Sequence, residues 1–125
     1  MVDALRRQYE ALNSGDFDRA IELADPEVVL VRTGGLPELR GVEAVRAWME
    51  PDAFESQATE MLSFETADHR VLTRQITKAR GAGSGIEMEI ESMIVWTFND
   101  DGRVTRVEVF LMADEGEARR ALEGS

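Results

Sequence analysis

"IEMEIESMIVWTFNDDGRVTRVEVF", residues Ile86 to Phe110, carries a carboxylate at every second position (Glu87, Glu89, Glu91) and then alternates apolar residues on both sides of Asn99-Asp100-Asp101-Gly102. Two antiparallel strands joined by a tight turn are predicted. Side chains alternate across a strand, and three carboxylates cannot share a buried face unpaired without a cost of several kcal/mol each. Met88, Ile90, Ser92, Ile94, Trp96 and Phe98 therefore face the interior, and Glu87, Glu89, Glu91, Met93, Val95 and Thr97 face out.

The same rule sorts the flanking strands. Thr105, Val107, Val109 and Leu111 point in, whereas Arg106, Glu108 and Phe110 point out. Val71, Thr73, Gln75 and Thr77 point in, whereas Arg74, Lys78 and Arg80 point out. The inner face is thus apolar with a few neutral polar groups. On the outer face Leu72, Ile76, Met93, Val95 and Phe110 form an apolar cluster, and such a cluster predicts a two-fold homodimer through the convex back of the sheet.

Upstream, Val2, Leu5, Tyr9 and Leu12 recur at helical spacing until Asn13-Ser14-Gly15. Asp16 caps a second helix with Phe17, Ala20, Ile21 and Ala24 inward, stopped by Asp25-Pro26. Val28 to Arg32 reads as a strand, and a third helix from about Val42 puts Val45, Trp48 and Met49 on one side before Pro51. Further strands are expected at about Thr59 to Thr66 and Val71 to Arg80, with a closing helix at Glu115 to Leu122. The order predicts an α+β fold, a curved, mostly antiparallel sheet wrapped around three N-terminal helices, in a single domain over residues 1–125.

Composition narrows the function. Lys and Arg number 14 against 25 Asp and Glu, a formal charge of −11, so phosphate backbones would be repelled and no nucleic-acid partner is expected. The absence of cysteine removes thiolate zinc sites and cysteine nucleophiles. No segment approaches the roughly 20 apolar residues of a membrane span, and no signal peptide is visible, so the expectation is a soluble, cytoplasmic protein without a membrane partner. His69, the sole histidine, falls in a turn. Glu87, Glu89 and Glu91 could gather a hard cation or simply solvate a surface, and the second is the commoner use of such a row. Gly34 and Gly35 lack the helix start and lysine of a phosphate loop. No metal and no cofactor are expected.

"ALNSGDFDRAIELADPEVVL" (Ala11 to Leu30), "LRGVEAVRAWM" (Leu39 to Met49) and "VWTFNDDGRVTRVEVF" (Val95 to Phe110) resemble the SnoaL-like branch of the nuclear transport factor 2 superfamily. That resemblance implies a conical pocket between sheet and helices, and often a homodimer. It also implies positions for known chemistries. The ketosteroid isomerase base, helix tyrosine and strand aspartate fall near Val31, Gln8 and Ile94. The epoxide hydrolase triad falls near Gln75, Thr77 and Val109, and the cyclase aspartate near Val109. None of these residues supplies the carboxylate. Tyr9 stands one residue from the helix position, about 100° around the axis, and a register shift of one would turn Glu108 or Arg32 inward.

The expected ligand set is Trp48, Thr73, Gln75, Ser92, Ile94, Trp96 and Val109, holding a small, largely apolar molecule. The two tryptophans could equally be core filling, and Thr73, Gln75 and Ser92 could satisfy one another or a ligand. The alternatives are an isomerase, cyclase, dehydratase or hydrolase using Tyr9, Gln75 or Glu108 to handle protons, and a non-catalytic interaction module whose cone is filled.

Overall fold

The computed structural model describes residues 1–49 and 54–124. Helix α1 (Val2–Asn13) buries Leu5, Gln8, Tyr9 and Ala11 on one stripe, as the three- and four-residue spacing requires. Asp16 then caps the short α2 (Phe17–Ile21), its carboxylate accepting from the Arg19 backbone N–H at 3.1 Å. The expected continuation of α2 through Ala24 does not occur. Ala24 instead opens strand β1 (Ala24–Arg32), where it pairs with Val104 of the last strand. Pairing with a distant strand overrides the local helical pattern there.

A two-residue strand, β2 (Leu39–Arg40), is absent from the sequence reading and leads into α3 (Val42–Met49). The expected stop of this helix at Pro51 lies outside the described residues. β3 (Phe54–Ala67), β4 (Arg70–Gly81), β5 (Glu87–Phe98) and β6 (Val104–Leu111) follow as an antiparallel meander. A 3-10 turn at Met112–Asp114 connects to α4 (Glu115–Glu123). The strands form one open, curved sheet in the order β2-β1-β6-β5-β4-β3, with β1 parallel to β6. With the three N-terminal helices on its concave side, the α+β cone expected from the sequence is the fold of the protein. No described helix is long and apolar enough to cross a membrane.

Two apolar layers lie on opposite faces. On the concave face Val28, Leu30, Val71, Ile94, Trp96, Phe98 and Val107 pack against Leu5, Tyr9 and Val45 of the N-terminal helices. A register shift between Thr97 and Phe98 brings Val104, not Thr105, into this core. At the far end of β5, beyond the helices, Met88 and Ile90 share the concave side yet are 37% and 45% exposed. Glu87 and Glu89 face out as expected, paired with Arg80 at 2.8 Å and Lys78 at 3.8 Å.

The convex face corrects the interface expectation. Leu72, Met93, Val95 and Phe110 do lie outside the cone, but Ala118 and Leu122 of α4 cover them within the same chain. All four are buried, and Ile76 is half-buried. The alternation rule fixed the side of the sheet correctly; it carried no information on which segment covers that side. The surface inferred for the dimer is therefore an intramolecular core.

Replacing Met93, 1% exposed, by alanine should lower the unfolding free energy in urea by about 2–5 kcal/mol through loss of packing under α4. Glu91→Ala, one pair of strand positions away and exposed, should change it by less than about 0.5 kcal/mol.

Candidate functional site

The site grows from α1 and the middle of β4 and β5. Leu5, Gln8 and Tyr9 share a stripe broad enough to address two neighbours. Gln8 turns toward α2 and donates from Nε2 to the Ala20 carbonyl at 3.2 Å, while its buried Oε1 has no partner among the described residues. Tyr9 turns toward the sheet. Its hydroxyl donates to Gln75 Oε1 at 2.7 Å and lies 3.1 Å from Thr73 Oγ1, which accepts from Trp96 Nε1 at 2.9 Å.

A phenol has one proton. Because that proton goes to Gln75, Thr73 must donate to Tyr9. The result is a directed chain, Trp96 N–H to Thr73 O–H to Tyr9 O–H to Gln75 Oε1, in which each bond polarises the next. The Tyr9 and Trp96 rings meet edge to face with centroids 6.2 Å apart. Burial pushes the Tyr9 phenol up to about 12, against the opposing pull of the Thr73 hydroxyl and the Trp96 indole N–H. At neutral pH the phenol stays protonated, and its proton orients Gln75.

The chain ends on an amide whose other half is unused. Gln75 Nε2 makes no hydrogen bond among the described residues, and neither does Ser92 Oγ, directly across from it in the β4–β5 register. Both residues are 9% exposed. Two donors thus stand side by side on the concave face, backed by the wall of Ile94 and Val109, which are themselves a cross-strand pair. Thr59 and Thr77 bond each other at 3.0 Å and are spent.

The other expected residues fall elsewhere. Trp48 sits on the rim of the cone, 36% exposed. The void that it lines with Trp96, Gln8, Val45 and Val107 measures about 10 Å³, room for a single water and no more. Trp96 is part of the core, and Trp48 caps its edge. Glu108 lies on the convex face opposite Val31 and Val95, ion-paired to Arg106 at 3.2 Å, away from the Tyr9 chain. His69 is exposed in the β3–β4 turn, where Asp68 adopts φ 53°. Among the described residues no group of three or more potential ligands could hold a metal ion.

One residue that the sequence reading turned outward faces in. Val28, Leu30 and Arg32 share a side of β1, because Leu30 pairs with Val107 and Arg32 with Val109. The spacing Val28-x-Leu30-x-Arg32 held this information; aligning Val31 to a catalytic position obscured it.

The model of the SnoaL-like domain matches residues 5–107. This chain belongs to that family. No curated protein matches it. Among solved structures, the SnoaL-like chain is similar to a Mycobacterium tuberculosis protein in complex with estradiol-17beta-hemisuccinate (TM-score 0.78, 15% identity, 90% of this chain and 94% of that one). It is also similar to TerC co-crystallised with polyporic acid (0.77, 17%, 99% and 98%). A third relative is SalBIII, an epoxide hydrolase/cyclase-like enzyme of pyran ring formation in the polyether salinomycin (0.79, 16%, 90% and 91%). At these identities the likeness is one of fold.

Tyr9→Phe leaves Gln75 Oε1 without its donor and should cost roughly 1–3 kcal/mol at pH 7 in urea unfolding. The phenol's acidity is weakened by folding, so its contribution is complete below pH 10 and is lost as pH rises through about 12. The stability gap between wild type and Tyr9→Phe should accordingly narrow from pH 9.5 upward, and a gap independent of pH would place the phenol in water.

Proposed function

We propose that this SnoaL-like domain binds a small, largely apolar organic molecule against the concave face of its sheet, with Gln75 and Ser92 orienting a carbonyl or hydroxyl oxygen. The observation that carries this reading is the pair of partnerless donors at the end of the Tyr9 chain. Both atoms stay open to the cone and free of protein partners among the described residues, and a ligand oxygen placed between Gln75 Nε2 and Ser92 Oγ would accept from both. Ile94 and Val109 supply apolar wall, and Trp48 on the rim can close over the ligand's outer edge. Relatives of the same fold bind estradiol-17beta-hemisuccinate and polyporic acid, which supports an organic ligand of that general kind.

Binding is favoured over acid-base catalysis because the three candidate proton carriers are ill-suited to it. Tyr9 holds its proton up to about pH 12, Gln75 does not titrate, and Glu108 faces the opposite side of the sheet. A homodimer belongs to the proposal on different residues from those first expected. Ile86, Met88, Ile90 and Leu111, 63%, 37%, 45% and 58% exposed, form an apolar strip at the open end of the sheet that a second copy would cover.

Two measurements test the reading. A native mass spectrum of the purified protein should show a dimer, and Ile90→Asp should convert it to monomer; a wild-type monomer at micromolar concentration overturns the interface. Titration with estradiol should quench tryptophan fluorescence saturably, and Ser92→Ala should weaken binding about three- to tenfold, the worth of one neutral hydrogen bond, without lowering the melting temperature. Unchanged affinity in Ser92→Ala would remove Ser92 from the site.

A further inference from the structure

Resting on the binding reading above, we infer that the cone is built for an organic acid, whose carboxylate or other anionic oxygen is neutralised by Arg32.

Among the residues that β1, β6, β5 and β4 turn to the concave side, Arg32 is the single charged side chain. On that surface β1 presents Val28, Leu30 and Arg32; β6 presents Val107, Val109 and Leu111; β5 presents Met88, Ile90, Ser92, Ile94, Trp96 and Phe98; and β4 presents Val71, Thr73, Gln75, Thr77 and Ala79. The acidic residues of β5 and β6 are all on the other face. A chain with 25 carboxylates and a net charge of −11 therefore keeps this one surface free of them and places a guanidinium there.

That guanidinium is underused. Of its five N–H groups, one at Nη2 donates to the Pro37 carbonyl at 3.1 Å. Nε is shut off from solvent without a hydrogen-bond partner. Among the described residues seven other cations have carboxylates within 4 Å: Arg40 with Glu38, Arg46 with Asp18, Arg74 with Glu115, Lys78 with Glu89, Arg80 with Glu87, Arg106 with Glu108, and Arg119 with Glu65 and Glu115; the remaining arginines lie off the concave strand faces. Arg32 has none among the described residues. A half-buried guanidinium without a counter-charge is destabilising, and a planar carboxylate meets its fork with two charge-assisted bonds. A modest rotation of the guanidinium on ligand entry would bring Nε into use.

Position fits the same ligand. Arg32, Val109, Ile94 and Thr73 form one row across β1, β6, β5 and β4, and Ser92 and Gln75 stand in the next row. Three strand spacings of about 4.8 Å separate the ends of the row, roughly 14 Å in all, shortened by the reach of the side chains. A ligand reaching from Arg32 past Val109 to Ser92 would place its acid at the β1 end and a hydrogen-bonding oxygen at the β4–β5 end.

The test uses the full chain and matched pairs: naphthalene-2-acetic acid and biphenyl-4-acetic acid, each against its primary amide, titrated calorimetrically at pH 7. Each acid should bind at least tenfold more tightly than its amide. Arg32→Met should abolish that preference, the acids losing at least tenfold and the amides less, with a melting temperature equal to or above wild type, because an unpaired charge has been removed. Arg32→Lys should keep part of the preference. If amides bind as well as acids, the acid inference fails while the binding reading stands; if none of the four binds, both fail. A preference for acids that survives in Arg32→Met assigns the anion site to another residue, and a melting temperature several degrees lower in Arg32→Met with no acid preference in wild type makes Arg32 a tether for the loop at Pro37.

Discussion

The constraint on which this structure depends is that ionised carboxylates stay in water or find a cation. Glu87, Glu89 and Glu91 occupy one parity of β5 and so fix its face, and cross-strand pairing passes that choice to β4 and β6. Once β5 is oriented, Ile94, Trp96 and Phe98 must meet the helices, while Met93 and Val95 must be covered from behind. The N-terminal helices satisfy the first demand and α4 the second.

The concave face then carries an unusual burden of neutral polar groups for a core. Thr73, Gln75, Ser92 and Tyr9 are all buried, and a directed chain from Trp96 through Thr73 and Tyr9 ends on Gln75 Oε1, with Ser92 outside it. Such an arrangement holds Gln75 in a single orientation and leaves its amide N–H groups as the outward-looking end.

Much of this was legible in particular residues. The capped start of α2 at Asp16, the stop of α1 at Asn13-Ser14-Gly15, the β5–β6 turn at Asn99 to Gly102 and the inward set of β5 are local signals, each read from spacing or turn chemistry and found in place. Tyr9 was visible as an apolar-stripe residue, but its partners Thr73 and Gln75 are 64 and 66 positions away, and no local pattern announces a hydrogen bond across that distance. Arg32 was legible from the parity of Val28 and Leu30, and an alignment to catalytic positions one residue off turned it outward.

By itself the sequence determined most of the elements and kept carboxylates off the inner faces of β4, β5 and β6, because helical and strand periodicities and the cost of burying charge act over a few residues. Tertiary structure alone decided which faces are covered. The same apolar cluster of Leu72, Met93, Val95 and Phe110 would suit a dimer interface or an intramolecular core, and only the return of α4 across the convex face makes it the second. It alone also decided that Tyr9 is bonded across the sheet and that Arg32 has no carboxylate among the described residues, since pairing of polar groups depends on distances between segments that the chain order does not contain.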